Sequence, residues 1–104
     1  MLYKLEYLPA ARKDILDIVK YISQKLANPD AAERLATAFI EKSESLKQMP
    51  YINPVYTPIR PLRHEYRRAI VGNYRILYWI DEQKQLITVA RIVYSKRDFE
   101  RDLT

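Results

Sequence analysis

The chain has 104 residues, a formal net charge of +5 and no cysteine. Its length suits a single domain over residues 1–104 with a real core, and excludes a core plus an independent module. Without cysteine there are no disulfides or thiolate metal sites, which fits a reducing, cytoplasmic location.

Along the chain, Tyr3, Leu5 and Tyr7 alternate with Leu2, Lys4 and Glu6, the period of a short strand over 2–7. The same stretch is charged, unlike the apolar centre of a signal peptide. Pro9 suits a first helical turn, and Ala11, Ile15, Ile18, Val19, Ile22 and Leu26 recur at helical spacing, so the first helix is predicted over 9–26. Asn28-Pro29 breaks it. Asn28 can cap a second helix with Pro29 at its first position, and Ala32, Leu35, Phe39, Leu46 and Met49 form its apolar stripe up to Pro50. So short a connection makes the two helices antiparallel neighbours.

Pro50, Pro54, Pro58 and Pro61 then punctuate a segment rich in Tyr51, Ile52, Val55 and Tyr56, which reads as an ordered crossing rather than a linker. Strands are predicted over 64–71, 74–81 and 85–94, the first two joined by Gly72-Asn73. That turn pairs Val71 with Tyr74, Ile70 with Arg75, Ala69 with Ile76 and Arg68 with Leu77. Side-chain alternation then puts Ala69, Val71, Tyr74, Ile76 and Tyr78 on one face, with Arg67 at its far end. Tyr66, Arg68, Ile70, Arg75, Leu77 and Trp79 share the other. The last ten residues are charged and suit a short helix or a tail. The expected fold class is α+β: an N-terminal strand, an antiparallel helical hairpin and a three-stranded antiparallel meander, with the helices on one sheet face and the other face open.

The chemistry this chain can support is narrow. His64 is the sole histidine and reads as an ordinary surface residue, so a histidine metal site or triad is not expected. One glycine rules out a glycine-rich phosphate loop. Asp14, Asp17, Glu41 and Glu44 read as helix-surface charge. Neither a metal nor a cofactor is expected, and without a run of roughly 18 apolar residues no membrane span is expected either. What stands out is two guanidiniums, Arg68 and Arg75, sharing a face with Tyr66 and Trp79. Guanidinium matches phosphate with two parallel hydrogen bonds, and aromatics beside arginine suit contact with bases or with a protein. The basic balance points to an acidic partner.

YRRAIVGNYRILYWID followed by TVARIVYSKRDFERDL is similar to the C-terminal half of RelE/ParE superfamily toxins. The upstream PAARKDILDIVKYI and NPDAAERL resemble the helical hairpin of the ParE side. The resemblance implies the toxin of a type II toxin–antitoxin system, neutralised by a cognate antitoxin that is acidic and partly disordered. It implies one of two activities: inhibition of DNA gyrase by binding, as in ParE-like members, or cleavage of ribosome-bound mRNA, as in RelE-like members. An inactive antitoxin-binding module is a third reading. Arg75 matches the family's strand arginine, Arg97 its late arginine, and Arg68 a position usually held by lysine or arginine. The departures are Leu103, where a cutter usually carries a tyrosine, and Tyr66, where it carries a lysine. The expected target-binding or catalytic residues are therefore Arg68, Arg75 and Arg97, with Tyr66 and Trp79 as stacking surfaces. The hairpin and Leu103 tip the balance toward gyrase.

Overall fold

The computed structural model describes residues 2–59, 61–96 and 103. In chain order it contains β1 (Lys4–Tyr7), α1 (Pro9–Lys20), a π-helical turn (Tyr21–Lys25), α2 (Pro29–Ser45), β2 (Arg67–Val71), β3 (Tyr74–Asp81) and β4 (Leu86–Tyr94). The strands form one sheet in the order β1-β4-β3-β2. The hairpin register expected from the turn is the observed one, from Arg67 opposite Tyr78 to Val71 opposite Tyr74. Gly72 takes φ 56°, the left-handed conformation for which glycine has no Cβ penalty. The sheet is not purely antiparallel, however. β1 runs parallel to β4, with Lys4 opposite Leu86 and Tyr7 opposite Val89. A parallel pair needs a long crossover, and the helical hairpin with its proline-rich sequel supplies it.

The first helix is shorter than its apolar stripe. After Lys20 the backbone widens into a π turn, and Ala27 takes φ 50°, a conformation that usually falls to glycine at a helix end. The Asn28 N–H then donates back to the Ile22 carbonyl at 3.1 Å. That closure leaves the Asn28 Oδ1 free to accept from the Ala31 N–H at 3.1 Å, the expected cap of α2. Leu26, the last residue before the reversal, is exposed.

Both helices pack on one sheet face around Ala11, Phe39, Leu46, Ala69, Ile76 and Tyr78. Phe39 is wholly buried and meets Tyr74 edge to face at 5.6 Å, a side chain whose burial is worth roughly 2–3 kcal/mol. Tyr78 is wholly buried too, so its hydroxyl needs partners. It donates to the Pro50 carbonyl at 3.1 Å and accepts from Asn53 Nδ2 at 3.2 Å. Arg67 adds a bond from Nη1 to the Asn53 carbonyl at 2.6 Å and sits 4.9 Å over the Tyr51 ring. The proline-rich segment is thus an ordered crossing tied to the core, and Val55 bridges to Arg67 at the edge of β2.

A second tie holds the sheet's far end. Glu82, in the β3–β4 turn, accepts from the Tyr3 hydroxyl at 2.6 Å and from the Tyr51 hydroxyl. These two bonds, Tyr3 first, lower the Glu82 carboxyl below its ordinary range, while the bond to Glu82 pushes Tyr3 up from 10.0 to about 12. The signs are opposite. The Glu82 contribution is present above the unfolded carboxyl pKa and is lost as pH falls through the lower folded value. The Tyr3 contribution is present below pH 10.0 and is lost as pH rises toward about 12. The thermal midpoint of Tyr3→Phe should therefore lie below wild type at neutral pH, and the gap should close at both the acid and the alkaline ends. Melting curves across pH check this; a gap independent of pH would contradict it.

Candidate functional site

The hairpin register settles where the two strand arginines stand. Arg68 lies opposite Leu77, and Arg75 lies opposite both Ile70 and Val93. Residues facing each other across a ladder share a sheet face, and Leu77 and Val93 belong to a cluster away from the helices. Arg68 and Arg75 are therefore diagonal neighbours on the outer face, as the turn implied. Among the described residues neither guanidinium has a hydrogen-bonding or ion-pair partner. Arg97, the third expected arginine, lies outside the described residues.

The rest of that face is not open, which corrects the sequence-based expectation. Tyr66, Leu77, Ala90, Val93 and Leu103 form a second buried cluster, with Leu8, Tyr56, Leu62 and Trp79 packed against it. The crossing segment brings the cover: the Tyr56 N–H donates to the Tyr66 carbonyl at 2.8 Å. Tyr66 is only 5% exposed and Leu103 8%, so neither offers a free ring or surface for stacking. Burial raises the Tyr66 phenol, offset in part by the charge of Arg63. Trp79 is already engaged: the His64 imidazole lies 3.8 Å from it at 5°, and Tyr66 meets Trp79 edge-on at 5.7 Å. His64 is thus part of an aromatic stack, not the ordinary surface residue its sequence context suggested. The face divides into a basic end, Arg68 and Arg75, and a packed aromatic end, Tyr66, His64 and Trp79.

Asp14 was missed by sequence reasoning, which gave it to the helix surface. Its carboxylate receives Arg91 Nε at 2.7 Å and Nη2 at 2.9 Å, and also the Ile92 backbone N–H at 2.9 Å. The cause is the length mismatch of two strands. β1 ends at Tyr7 opposite Val89 while β4 runs on to Tyr94, and a bulge opposite Leu77/Tyr78 re-aims β4 there. An uncovered edge donor needs an acceptor, and α1 supplies it. The only sequence signal is a carboxylate on the border of an amphipathic helix, too weak to single out.

On either side of this contact lies a concavity. One, of about 520 Å³, runs between α1 and the free end of β4 and is lined by Ile18, Tyr21, Tyr74, Ile92 and Tyr94, with Asp14 and Asp17. Burial raises the Tyr74 phenol, helped by Tyr94 and Tyr21. The other, of about 410 Å³, lies on the outer face between the start of α1 and the His64–Trp79 stack. No group of three or more histidine or carboxylate side chains able to hold a metal ion occurs among the described residues. No helix among them is long and apolar enough to cross a membrane.

With this geometry in place, comparison with known proteins gives a class. The family model described as the ParE toxin of the type II toxin-antitoxin system, parDE, matches residues 5–99. The chain belongs to this ParE toxin family, within the RelE/ParE toxins of type II toxin–antitoxin systems. Among solved structures, the chromosomal ParDE system of P. aeruginosa superposes with a TM-score of 0.73 at 15% identity, covering 91% of this chain and 98% of that one. The RelBE2 toxin-antitoxin complex of Mycobacterium tuberculosis gives 0.65 at 22% identity, covering 90% and 99%. The archaeal RelE-RelB complex of Pyrococcus horikoshii OT3 gives 0.65 at 18%, covering 93% and 99%. At these identities the likeness is one of fold. No curated protein sequence matches the chain.

The Asp14 contact yields a quantitative expectation. Its side chain is 12% exposed and that of Arg91 19%. Removing Asp14 takes two bonds from a mostly buried guanidinium and the acceptor from the Ile92 N–H, so Asp14→Ala should cost about 3 kcal/mol in urea unfolding. Asp14→Asn keeps an acceptor and should cost less. Equal stability of Asp14→Ala and wild type would show that the contact does not tie α1 to the sheet.

Proposed function

We propose that this toxin arrests growth in the cytoplasm by binding DNA gyrase, as ParE-like members do, and that an acidic, partly disordered antitoxin neutralises it. The observation that carries the reading is the packing of the outer face. RNA cleavage needs groups that move protons and orient a base. The positions where a cutter would carry a lysine and a tyrosine hold Tyr66 and Leu103, both buried. The single histidine lies flat on Trp79, and arginine is a poor general base because its pKa lies far above neutrality. What remains is a binding surface: two guanidiniums with no hydrogen-bonding or ion-pair partner among the described residues, beside an exposed Ile70. Arginine next to apolar side chains suits a protein interface.

The antitoxin reading draws support from the helical side. Leu16, Tyr21, Leu26 and Ile40 are exposed on the helical hairpin, and the groove beside the free end of β4 offers both apolar side chains and an uncovered strand edge. Such a surface receives an amphipathic helix or an added strand. The three solved relatives named above come from toxin–antitoxin systems, two of them explicitly as complexes, which favours a partner of this kind.

The shared face of Arg68 and Arg75 favours one competing reading, ribosome-dependent mRNA cleavage, in which basic residues stabilise the charge developing on phosphate. The two are separable. In a supercoiling assay the purified chain should inhibit gyrase, and toeprinting on translating ribosomes should show no cleavage. Arg75→Ala should fold normally and weaken toxicity modestly unless it anchors the gyrase interface. Under the cleavage reading the same change would cost on the order of a hundredfold in rate. Cleavage in the toeprint with intact gyrase activity would reverse the assignment.

A further inference from the structure

A strand edge is a template for pairing with another chain, and this sheet has an edge at β2 and another at β1. Beside β2 lies the crossing segment, through the bridge of Val55 to Arg67 and the bond from the Tyr56 N–H to the Tyr66 carbonyl. On the other side β1 covers β4 only to Val89, and β4 continues to Tyr94. The direction of the backbone groups along that free end follows from its bonds. The Ile92 N–H turns away from β3 to Asp14, whereas the Ser95 N–H turns toward β3 and the Asn73 carbonyl. Alternation therefore aims the Tyr94 N–H at the free side as well, where it has no partner among the described residues.

The surroundings of this edge suit a second copy of the chain. The groove beside it is apolar and aromatic, lined by Ile18, Tyr21, Tyr74 and Tyr94, with Tyr21 and Tyr94 exposed. The charged residues that line it are Asp14 and Asp17, and each is already paired, with Arg91 and with Lys13. Two copies of a chain of net charge +5 would therefore meet here without bringing unpaired lining charges together. A twofold axis would set Ile92 and Tyr94 of one copy beside the same residues of the other, a self-complementary contact. The obstacle is Asp14. Its Oδ2 accepts the Ile92 N–H at 2.9 Å, the place that a carbonyl of an added strand would take, and the Arg91 Nε and Nη2 hold the carboxylate there at 2.7 and 2.9 Å.

We propose that Asp14 locks the free end of β4 against strand addition by a second copy of this chain, its carboxylate standing in for the missing neighbour strand. The proposal is independent of the gyrase and antitoxin readings. Sedimentation velocity on the whole chain over a range of concentrations tests it. Wild type should sediment as a monomer throughout. Asp14→Ala with Arg91→Gln, which removes the lock together with the cation it would strand, should sediment faster as concentration rises, while far-UV circular dichroism shows it folded. Asp14→Asn keeps an acceptor for the Ile92 N–H and should stay monomeric. A proline is tolerated on an edge strand where its nitrogen faces outward, so adding Tyr94→Pro to the unlocked variant should restore the monomer, and adding Tyr94→Ala should not. Clumping of loosened chains would be relieved by neither, and that result would overturn the proposal. So would an unlocked variant that is folded and monomeric, or a wild-type dimer that Tyr94→Pro dissociates. Amide hydrogen exchange on wild type covers the case in which the unlocked variant does not fold. The Ile92 amide should be protected at every concentration and the Tyr94 amide should exchange fast. Fast exchange at Ile92, or protection of Tyr94 that grows with concentration, would overturn the lock.

Discussion

β4 is the strand on which the molecule is organised, and its difficulty is that β1 is too short for it. β1 covers β4 only as far as Val89, yet β4 continues to Tyr94 with Ile92 and Val93 buried. Past that point an interior strand becomes an edge, and a backbone donor there must be satisfied or its burial costs about 1–3 kcal/mol. Asp14 solves this from α1 by accepting the Ile92 N–H while Arg91 balances its charge. The same contact fixes how far along the sheet α1 can slide. The position of α1 in turn determines both concavities, the apolar groove at the free end of β4 and the outer-face cavity at the helix start. A surface carboxylate by sequence is the pin of the helix–sheet interface by structure.

The parts of this arrangement that were legible in the sequence are those whose cause is local. Gly72-Asn73 fixes a two-residue turn, and a two-residue turn fixes every pair down the hairpin, so the placement of Arg68 and Arg75 on one face followed from the turn alone. Asn28-Pro29 ended one helix and capped the next for reasons contained within a few residues. What escaped has distant causes. The parallel pairing of Lys4 with Leu86 and the bond of Asp14 to Arg91 join residues at opposite ends of the chain. Nothing near Asp14 distinguishes it from Asp17, which instead makes an exposed pair with Lys13 one turn away. The π turn was hidden for another reason: the apolar stripe continues through Ile22 to Leu26, and helical spacing cannot register a change of pitch in the last turn.

The outer face is the instructive failure. Alternation correctly put Tyr66, Leu77 and Trp79 together, but the inference that such a face lies open neglected the proline-rich segment. Prolines remove backbone donors and stiffen the chain, so the segment forms no regular element, and an irregular segment reads as peripheral. Here it is anchored through Tyr78 and Arg67 on the helix side, and this delivers Tyr56 and Leu62 onto the outer cluster. The cover is as much a consequence of the Tyr78 hydroxyl as of any apolar residue. A wholly buried phenol demands partners, and the crossing backbone provides them.

That division of the outer face also limits what chemistry it can host. Arg68 and Arg75 sit beside exposed Ile70, where a macromolecular surface can reach both guanidiniums without displacing packed side chains. At the other end, the rings of Tyr66, His64 and Trp79 are already mutually engaged, at 5.7 to 6.0 Å edge-on and 3.8 Å stacked. A group held in such a cluster gives up its freedom to approach a reacting atom, since moving it would break contacts worth about 0.5–1.5 kcal/mol each. The outer face thus sets rigid, mutually packed aromatics next to two arginines that have no ion-pair partner among the described residues.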